Sequence, residues 1–447
     1  MTRQLHLNAF LMGTGHHEAS WRLPQSDPTA TTSVAHFQHL AQVAERGTFD
    51  SLFLADGPVM MGNVAQRPSG VIEPLTLLTA LALVTERVGL IATASTSYNS
   101  PYNLARRFSG LDHVSNGRAG WNIVTTAGIE AARNFGVDEQ PLHADRYARA
   151  AEFLDVTLKL WDSWEDDVFV GDKAAGVWGD NTKIHLADHR GKYFSVAGAL
   201  NSPRSPQAYP LLVQAGSSDD GKDFAARYAE AVFTAQQTLG DAQAFYGDLK
   251  SRTHREGRDP NGIKILPGIV PILGSTESEA REREAELGEH IVHEHGQLML
   301  SRLLRVPIDQ LDLDSQLPDD LPPESEIEDF KSRYSLIVEL GRREHLTVRQ
   351  LIGRLGGGRG HFTFAGTPEQ VADIIELWFT NGAADGFNIM PPLLPSGLEL
   401  FVEHVVPILR DRGLFRREYT GVTLRDHYGL ARPSNQYVRE LSDSVAI

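Results

Sequence analysis

The stretch QAGSSDDGKDFA (214–225) puts reactive and hydrogen-bonding residues where an apolar run gives way to a helix. Gly216 lets the backbone approach a ligand closely, and Ser217 and Ser218 stand where the helix begins. Hydroxyls beside the free N–H groups of a helix N-terminus form an anion site, most simply for a phosphate. Ordinary capping by serine explains the same residues without a ligand. His143 and Tyr147, four apart in HADRY, share one helical face and can both reach a phosphate.

Other patterns point elsewhere or nowhere. His290, His293 and His295 in HIVHEHG offer imidazoles at helical spacing, but no H-E-x-x-H and no carboxylate at a ligand spacing accompanies them. No metal is expected, and the three read as a helix face. GRLGGGRGHF (353–362) lacks the G-K-[ST] ending of a phosphate loop and reads as a lid or crossing. No serine has the G-x-S-x-G setting of a nucleophile elbow. Cysteine is absent, which removes disulfides, thiolate metal sites and a cysteine nucleophile together.

The elements that must position these residues alternate regularly. Eight apolar runs begin at about 5, 51, 89, 119, 210, 230, 263 and 386. Most are followed by helically spaced apolar residues, as with Val34, Phe37, Leu40 and Val43 after the first. Eight such units, with no G-x-G-x-x-G turn after the first, predict a closed TIM (β/α)8 barrel rather than an open dinucleotide-binding sheet. Residues 1–412 read as this single barrel domain, and 413–447 as a C-terminal arm. Two insertions interrupt the barrel. One (165–209) precedes the fifth strand, and its GKYFSV suggests a short strand; the other (275–361), polar and helical, lies between the seventh and eighth strands.

In such barrels the site lies at the C-terminal ends of the strands. The first strand brings Phe10 and Met12 to that rim, with His17 and Arg22 in the loop beyond. The second brings Asp56, then Met60 and Met61; the third Ser95 and Thr96; the fourth Asn122; the eighth Met390. His361 stands beside the expected lid. Polar neutral groups gathered at one rim suit a multifunctional ligand such as a flavin ring. Asn122 is expected to face that ring while Trp121 packs outward. Phe10, Met12, Met60, Met61 and Met390 would form apolar walls for a substrate. His17, and second His361, are the candidate proton donors, since histidine titrates near neutral pH.

With 58 acidic against 42 basic side chains and a formal charge of −16, the chain has no basic excess with which to bind nucleic acid. No run approaches membrane-spanning length, and MTRQLHLNAFLMG lacks the pattern of a signal peptide, so a cytoplasmic location is expected. The tail carries Leu414, Phe415, Tyr419, Val422, Leu424, Tyr428 and Leu430, too apolar for a disordered segment. Lying beyond the last barrel helix, it reads as outside the barrel core; its own barrel surface and a neighbouring subunit are the two places for it, and part of it is expected to cross to a symmetry-related chain.

Three long motifs carry a family likeness: GRAGWNIVTT…AARNFG, HRGKYFSVAGALNSPRSPQAYPLLVQAGSS…AEAVF, and GTPEQVAD…GAADGFNIMPPLLPSGLELFVEHVVPILRDRGLFRREYTGVTLRDHYGL. In these the chain resembles the nitrilotriacetate, pristinamycin and dibenzothiophene-sulfone monooxygenases, flavin-dependent enzymes of the bacterial-luciferase-like superfamily. The likeness runs from about residue 5 to 431 and weakens over 297–350. It implies an oxygenase that takes reduced FMN from a separate NAD(P)H:flavin reductase, forms a flavin peroxide with O2 and oxygenates a small organic substrate. It also implies a homodimer or homotetramer. The implied FMN positions are Asp56, Ser95 or Thr96, His143, Tyr147, Ser217 and Ser218. Two other activities suit the same residues: a deazaflavin-dependent hydride-transferring barrel and a non-catalytic flavin-binding protein.

Overall fold

Alternate side chains of a strand point to opposite faces, and here the two faces have different work. In β1 (His6–Phe10), Leu7 and Ala9 join an outer core shared with the helices, whereas Phe10 belongs to a cluster inside a barrel. The same holds for β2 (Ser51–Leu54), with Leu52 outward and Phe53 inward, and for β3 (Gly89–Ser95), with Leu90 outward and Ile91 inward. The computed structural model describes residues 3–438 except 61–63, 67, 328–330 and 359.

The remaining parallel strands are β4 (Ala119–Val124), β5 (Leu211–Gln214), β6 (Ala231–Thr234), β7 (Lys264–Leu273), β8 (Phe362–Gly366) and β9 (Gly386–Ile389). Their order is β6-β5-β4-β3-β2-β1-β9-β7-β8, and pairing of β6 with β7 closes the ring. The closed barrel therefore holds eight strands, β1 to β7 and β9, as expected from the alternation. The ninth, β8, was not expected. It pairs with the far half of β7, Ile269–Leu273, which outruns the barrel wall because β7 is ten residues long. Its place depends on the overhang of β7, which periodicity does not show.

Helices α1 (Val34–Arg46), α2 (Pro74–Ala82), α3 (Pro101–Val114), α4 (His143–Trp161) and α5 (Asp219–Tyr228) follow β1 to β5. Each sends an apolar stripe inward; in α1 this is Phe37, Leu40, Ala41, Val43 and Ala44. Trp121 packs outward, as expected, against Phe108, Phe153 and Trp161, with its indole N–H on the Ala94 carbonyl at 3.0 Å. The first insertion forms two antiparallel ribbons, Phe169–Asp172 with Val177–Gly179 and His189–Arg190 with Ser195–Val196. The second holds helices His293–Leu304, Lys331–Arg343 and Val348–Gly358 around a separate apolar core that includes Leu304, Ile337 and Leu351, and helix Glu277–Glu289, whose Ala280 packs with Ile272 and Ala365.

The arm departs from expectation. Leu424 and Tyr428 are fully buried in the same lumen cluster as Phe10, Phe53 and Phe233, closing the N-terminal end of this chain's own barrel. Glycines make the room. A Cβ on Gly89, the first residue of β3, would run into Leu424, and one on Gly120 would stand 3.3 Å from it. The arm thus completes the barrel core instead of lying outside it. Its Phe415 joins the outer core, and Tyr419 donates to the Phe49 carbonyl at 2.7 Å. Filling a barrel end with two large side chains is worth about 1.5–3 kcal/mol each.

Candidate active site

At the opposite end the strands open into a cleft of about 940 Å³. Phe10, Leu54, Val124 and Gln214, the last residues of β1, β2, β4 and β5, reach it, so the C-terminal rim carries it. Its walls are mostly apolar, with Met12, Phe37, Leu77, Ile123 and Phe224 among them. The volume lies in the range of small-molecule and cofactor sites.

The polar corner lies between β5 and α5. Ser218 caps α5, its hydroxyl accepting from the Gly221 N–H at 3.2 Å, and also lines the cleft. Capping and a place in the cleft lining therefore coexist. Gly216 closes the corner: a Cβ there would stand 2.7 Å from the Tyr147 hydroxyl, 3.2 Å from the Gly221 Cα, and against the Gln214 carboxamide. Burial raises the Tyr147 phenol, which keeps its proton and shares hydrogen bonds with Thr125 and Ser218. His143 Nδ1 pairs with Asp220 at 2.7 Å, and Arg252 and Lys222 hold Asp219 at 2.9 and 3.2 Å. The two carboxylates in the first turn of α5 thus have cationic or imidazole partners, which limits their repulsion of an anion at the helix start.

Of the residues expected from sequence, Asp56, His143, Tyr147, Ser218, Phe10, Met12 and Met60 line this cleft. Burial raises the half-buried Asp56 carboxyl, and Met60 is exposed at the entrance. Met61 lies outside the described residues. Ser95, Thr96, Asn122 and Ser217 are not in the lining. The Ser95 hydroxyl accepts from Thr126 at 2.7 Å, and Thr96 donates to the Val124 carbonyl at 3.1 Å. Asn122 donates to Thr93 at 2.9 Å, and Ser217 stands 3.5 Å from the Thr234 hydroxyl. Met390 is a lumen residue, packed with Phe10 and Phe233, because it continues the inward-facing positions of β9.

The two histidines also lie off the cleft lining. His17 is buried, and burial lowers its pKa to about 4. Its Nδ1 accepts from the Ala19 N–H at 3.2 Å, which leaves the hydrogen on Nε2. At neutral pH it is a neutral donor rather than a cationic acid. His361 stacks on Phe233, ring centroids 4.8 Å apart and nearly parallel. Among the described residues no group of three or more His, Cys, Asp or Glu side chains could hold a metal ion.

Sequence reading missed Arg146, Ser69 and Gln214, all of which line the cleft. Gln214 carried a usable signal, a polar residue ending the apolar run PLLVQ. Ser69 carried none, since nothing local separates it from other loop serines.

Comparison with known proteins gives a consistent result. Residues 16–385 match the luciferase-like monooxygenase family model. The chain is 47% identical to nitrilotriacetate monooxygenase component A of Aminobacter aminovorans, over 98% of this chain and 99% of that one. It is also 47% identical to N-acetyl-S-(2-succino)cysteine monooxygenase of Bacillus subtilis (strain 168), over 98% and 99%. A riboflavin lyase structure, solved with modified FMN and riboflavin, superposes with a TM-score of 0.86 at 30% identity, covering 96% of each chain.

Proposed function

This chain belongs to the luciferase-like monooxygenase family, and from that premise we propose that it is the oxygenase half of a two-component, FMN-dependent system. One observation carries the cofactor reading: a glycine-walled corner at a helix N-terminus, holding Tyr147 and Ser218, opens into an apolar cleft large enough for a flavin. The donor set fits FMN. Hydroxyls of Tyr147 and Ser218 and the N–H groups at the start of α5 would hold the phosphate. Phe10, Leu54 and Ile123 would cover the ring and keep water from it. Reduced FMN, when bound, supplies the activation of dioxygen.

The protein's part is to bind, orient and dry the site. Tyr147, kept protonated by burial, donates to an anion without a proton leaving it. His17 Nε2–H, beyond the lining, offers a neutral donor. The absence of a dinucleotide-binding turn and the "component A" of a relative's name support a separate NAD(P)H:flavin reductase as partner. A cytoplasmic location and a homodimer or homotetramer belong to the same reading. No helix of the described residues is long and apolar enough to cross a membrane.

The test supplies FMN and NADH with and without an unrelated flavin reductase. Substrate-dependent oxygenation is expected only with the reductase, beginning the panel with nitrilotriacetate and N-acetyl-S-(2-succino)cysteine, the compounds in the two relatives' names. Enzyme-like NADH turnover by the purified protein with FMN alone would overturn the two-component reading.

A further inference from the structure

Gln214 ends β5, is 3% exposed and lines the cleft, yet its Oε1 has no hydrogen-bond partner among the described residues. Its Nε2 lies against Gly216, beside the Tyr147 hydroxyl. A buried carboxamide without partners is costly, so a group that satisfies it is expected to enter with a ligand. We propose that Gln214 holds a ribityl hydroxyl of the flavin, a contact that rests on the FMN reading above.

The chemistry of the carboxamide selects the hydroxyl. Oε1 only accepts, and the oxygens of an ionised phosphate only accept, so phosphate leaves Oε1 unsatisfied. A hydroxyl both donates and accepts, and it suits the carboxamide whichever way the amide is turned. In FMN the ribityl chain is bonded directly to the phosphate, and Gln214 is the neighbour of the phosphate corner. Gly216 is part of the same device, because a side chain there would displace both the carboxamide and the phenol. Gln214 thus reads the chain, while Tyr147 and Ser218 read the anion.

The experiment uses three flavins differing in one piece at a time: lumiflavin without the ribityl chain, riboflavin with it, and FMN with chain and phosphate. Each is photoreduced and titrated anaerobically by calorimetry into wild type, Gln214→Met and Tyr147→Phe. Gln214→Met keeps the length of the side chain and removes both polar atoms. It is expected to weaken riboflavin and FMN alike, by roughly tenfold for a neutral hydrogen bond, and to leave lumiflavin unchanged. Unchanged lumiflavin also shows that the variant is folded. Tyr147→Phe is expected to weaken FMN alone. Gln214→Glu keeps an acceptor for the hydroxyl and adds a charge beside the phosphate, so it should spare riboflavin and weaken FMN.

Three results would overturn the assignment. Gln214→Met binding all three flavins like wild type would mean that water satisfies the carboxamide. Loss confined to FMN would move Gln214 to the phosphate. Equal loss of all three would reduce it to wall packing. A wild-type protein that binds none of the flavins would instead remove the FMN reading itself, and this assignment with it.

Discussion

The two ends of the barrel are built on opposite principles. At the base, the buried Asp50 carboxylate meets Arg416 from the arm, His6 Nδ1 at 2.9 Å and the Leu7 N–H at 2.7 Å. Arg425 grips Glu230 through both carboxylate oxygens, one at 2.9 Å, and the Tyr428 hydroxyl donates to Asn8 at 2.8 Å. Among the described residues Arg416 Nε and His427 Nδ1 lack a partner at this end, but the charges themselves are met. At the mouth, the oxygens of the neutral Gln214 and Ser69 have no partner among the described residues and stand beside open space. Polar groups satisfied within the chain hold the fold together, whereas buried polar groups left unsatisfied at a cleft await something from outside. If that distinction is right, damage at the base lowers stability and damage at the mouth lowers affinity.

Ending the chain after Gly413 should break the base completely. Asp50 and Glu230 lose their guanidinium partners, and the lumen loses Leu424 and Tyr428. An unpaired buried charge costs about 3–5 kcal/mol, and each large buried side chain removed costs about 2–5 kcal/mol. The sum rivals the whole stability of an ordinary domain, roughly 5–15 kcal/mol. Loss of the cooperative thermal transition is expected. A truncated protein melting within a few degrees of the full chain would show that the base does not depend on the arm.

Arg416→Met isolates one contact of that end. Burial pushes the Asp50 carboxyl up, but Arg416 and then His6 outweigh it and hold the pKa at about 2. Without the guanidinium, the loss should be about 3–5 kcal/mol by denaturant unfolding. Flavin affinity of the folded fraction should not change, because neither Asp50 nor Arg416 lines the cleft; a weaker affinity would mean that the ends are coupled. At the mouth the pattern reverses. Ser218→Ala should cost about 1.5–3 kcal/mol of FMN binding if its hydroxyl meets a charged phosphate, and about 1 kcal/mol of stability through the lost cap. Equal losses for FMN and riboflavin would deny it the phosphate.

Legibility in the sequence followed the same division. The barrel was readable because alternation and helical spacing repeat over eight units, and because Trp121 and its outward neighbours follow from period two. The corner proposed for the phosphate was readable because Gly216, Ser218 and Tyr147 have side-chain types that suit an anion at a recognisable strand-to-helix turn. Ser95 and Thr96 were placed by strand position and the family motif, Asn122 by strand position; all three bond to neighbouring strands and stand outside the cleft lining. The place of Leu424 and Tyr428 in the lumen was not readable. The arm's apolar residues showed that it must be buried, but only the room beside Gly89 and Gly120, more than 300 residues earlier, decides where. Strand β8 was hidden because its position depends on the extra length of β7, a tertiary fact.

The smallest effect sharpens the comparison most, because it concerns a residue near the mouth that behaves like one of the base. His17 has its pKa lowered from 6.5 to about 4, by burial. The unfolded chain therefore binds this proton below pH 6.5, while the folded chain refuses it until about pH 4. Its contribution is fully present above pH 6.5 and is lost as the pH falls from there toward 4. At pH 6 the loss is under about 1 kcal/mol. His17→Gln, which keeps a polar side chain without a titrating group, should flatten this limb of stability against pH. Because the wild-type imidazole is already neutral at pH 6 to 8, no step in the oxygenation rate across that interval should belong to His17. A rate step near pH 6.5 that vanishes in His17→Gln would make it a titrating acid of the reaction, and would move it from the structural side of the division to the functional one.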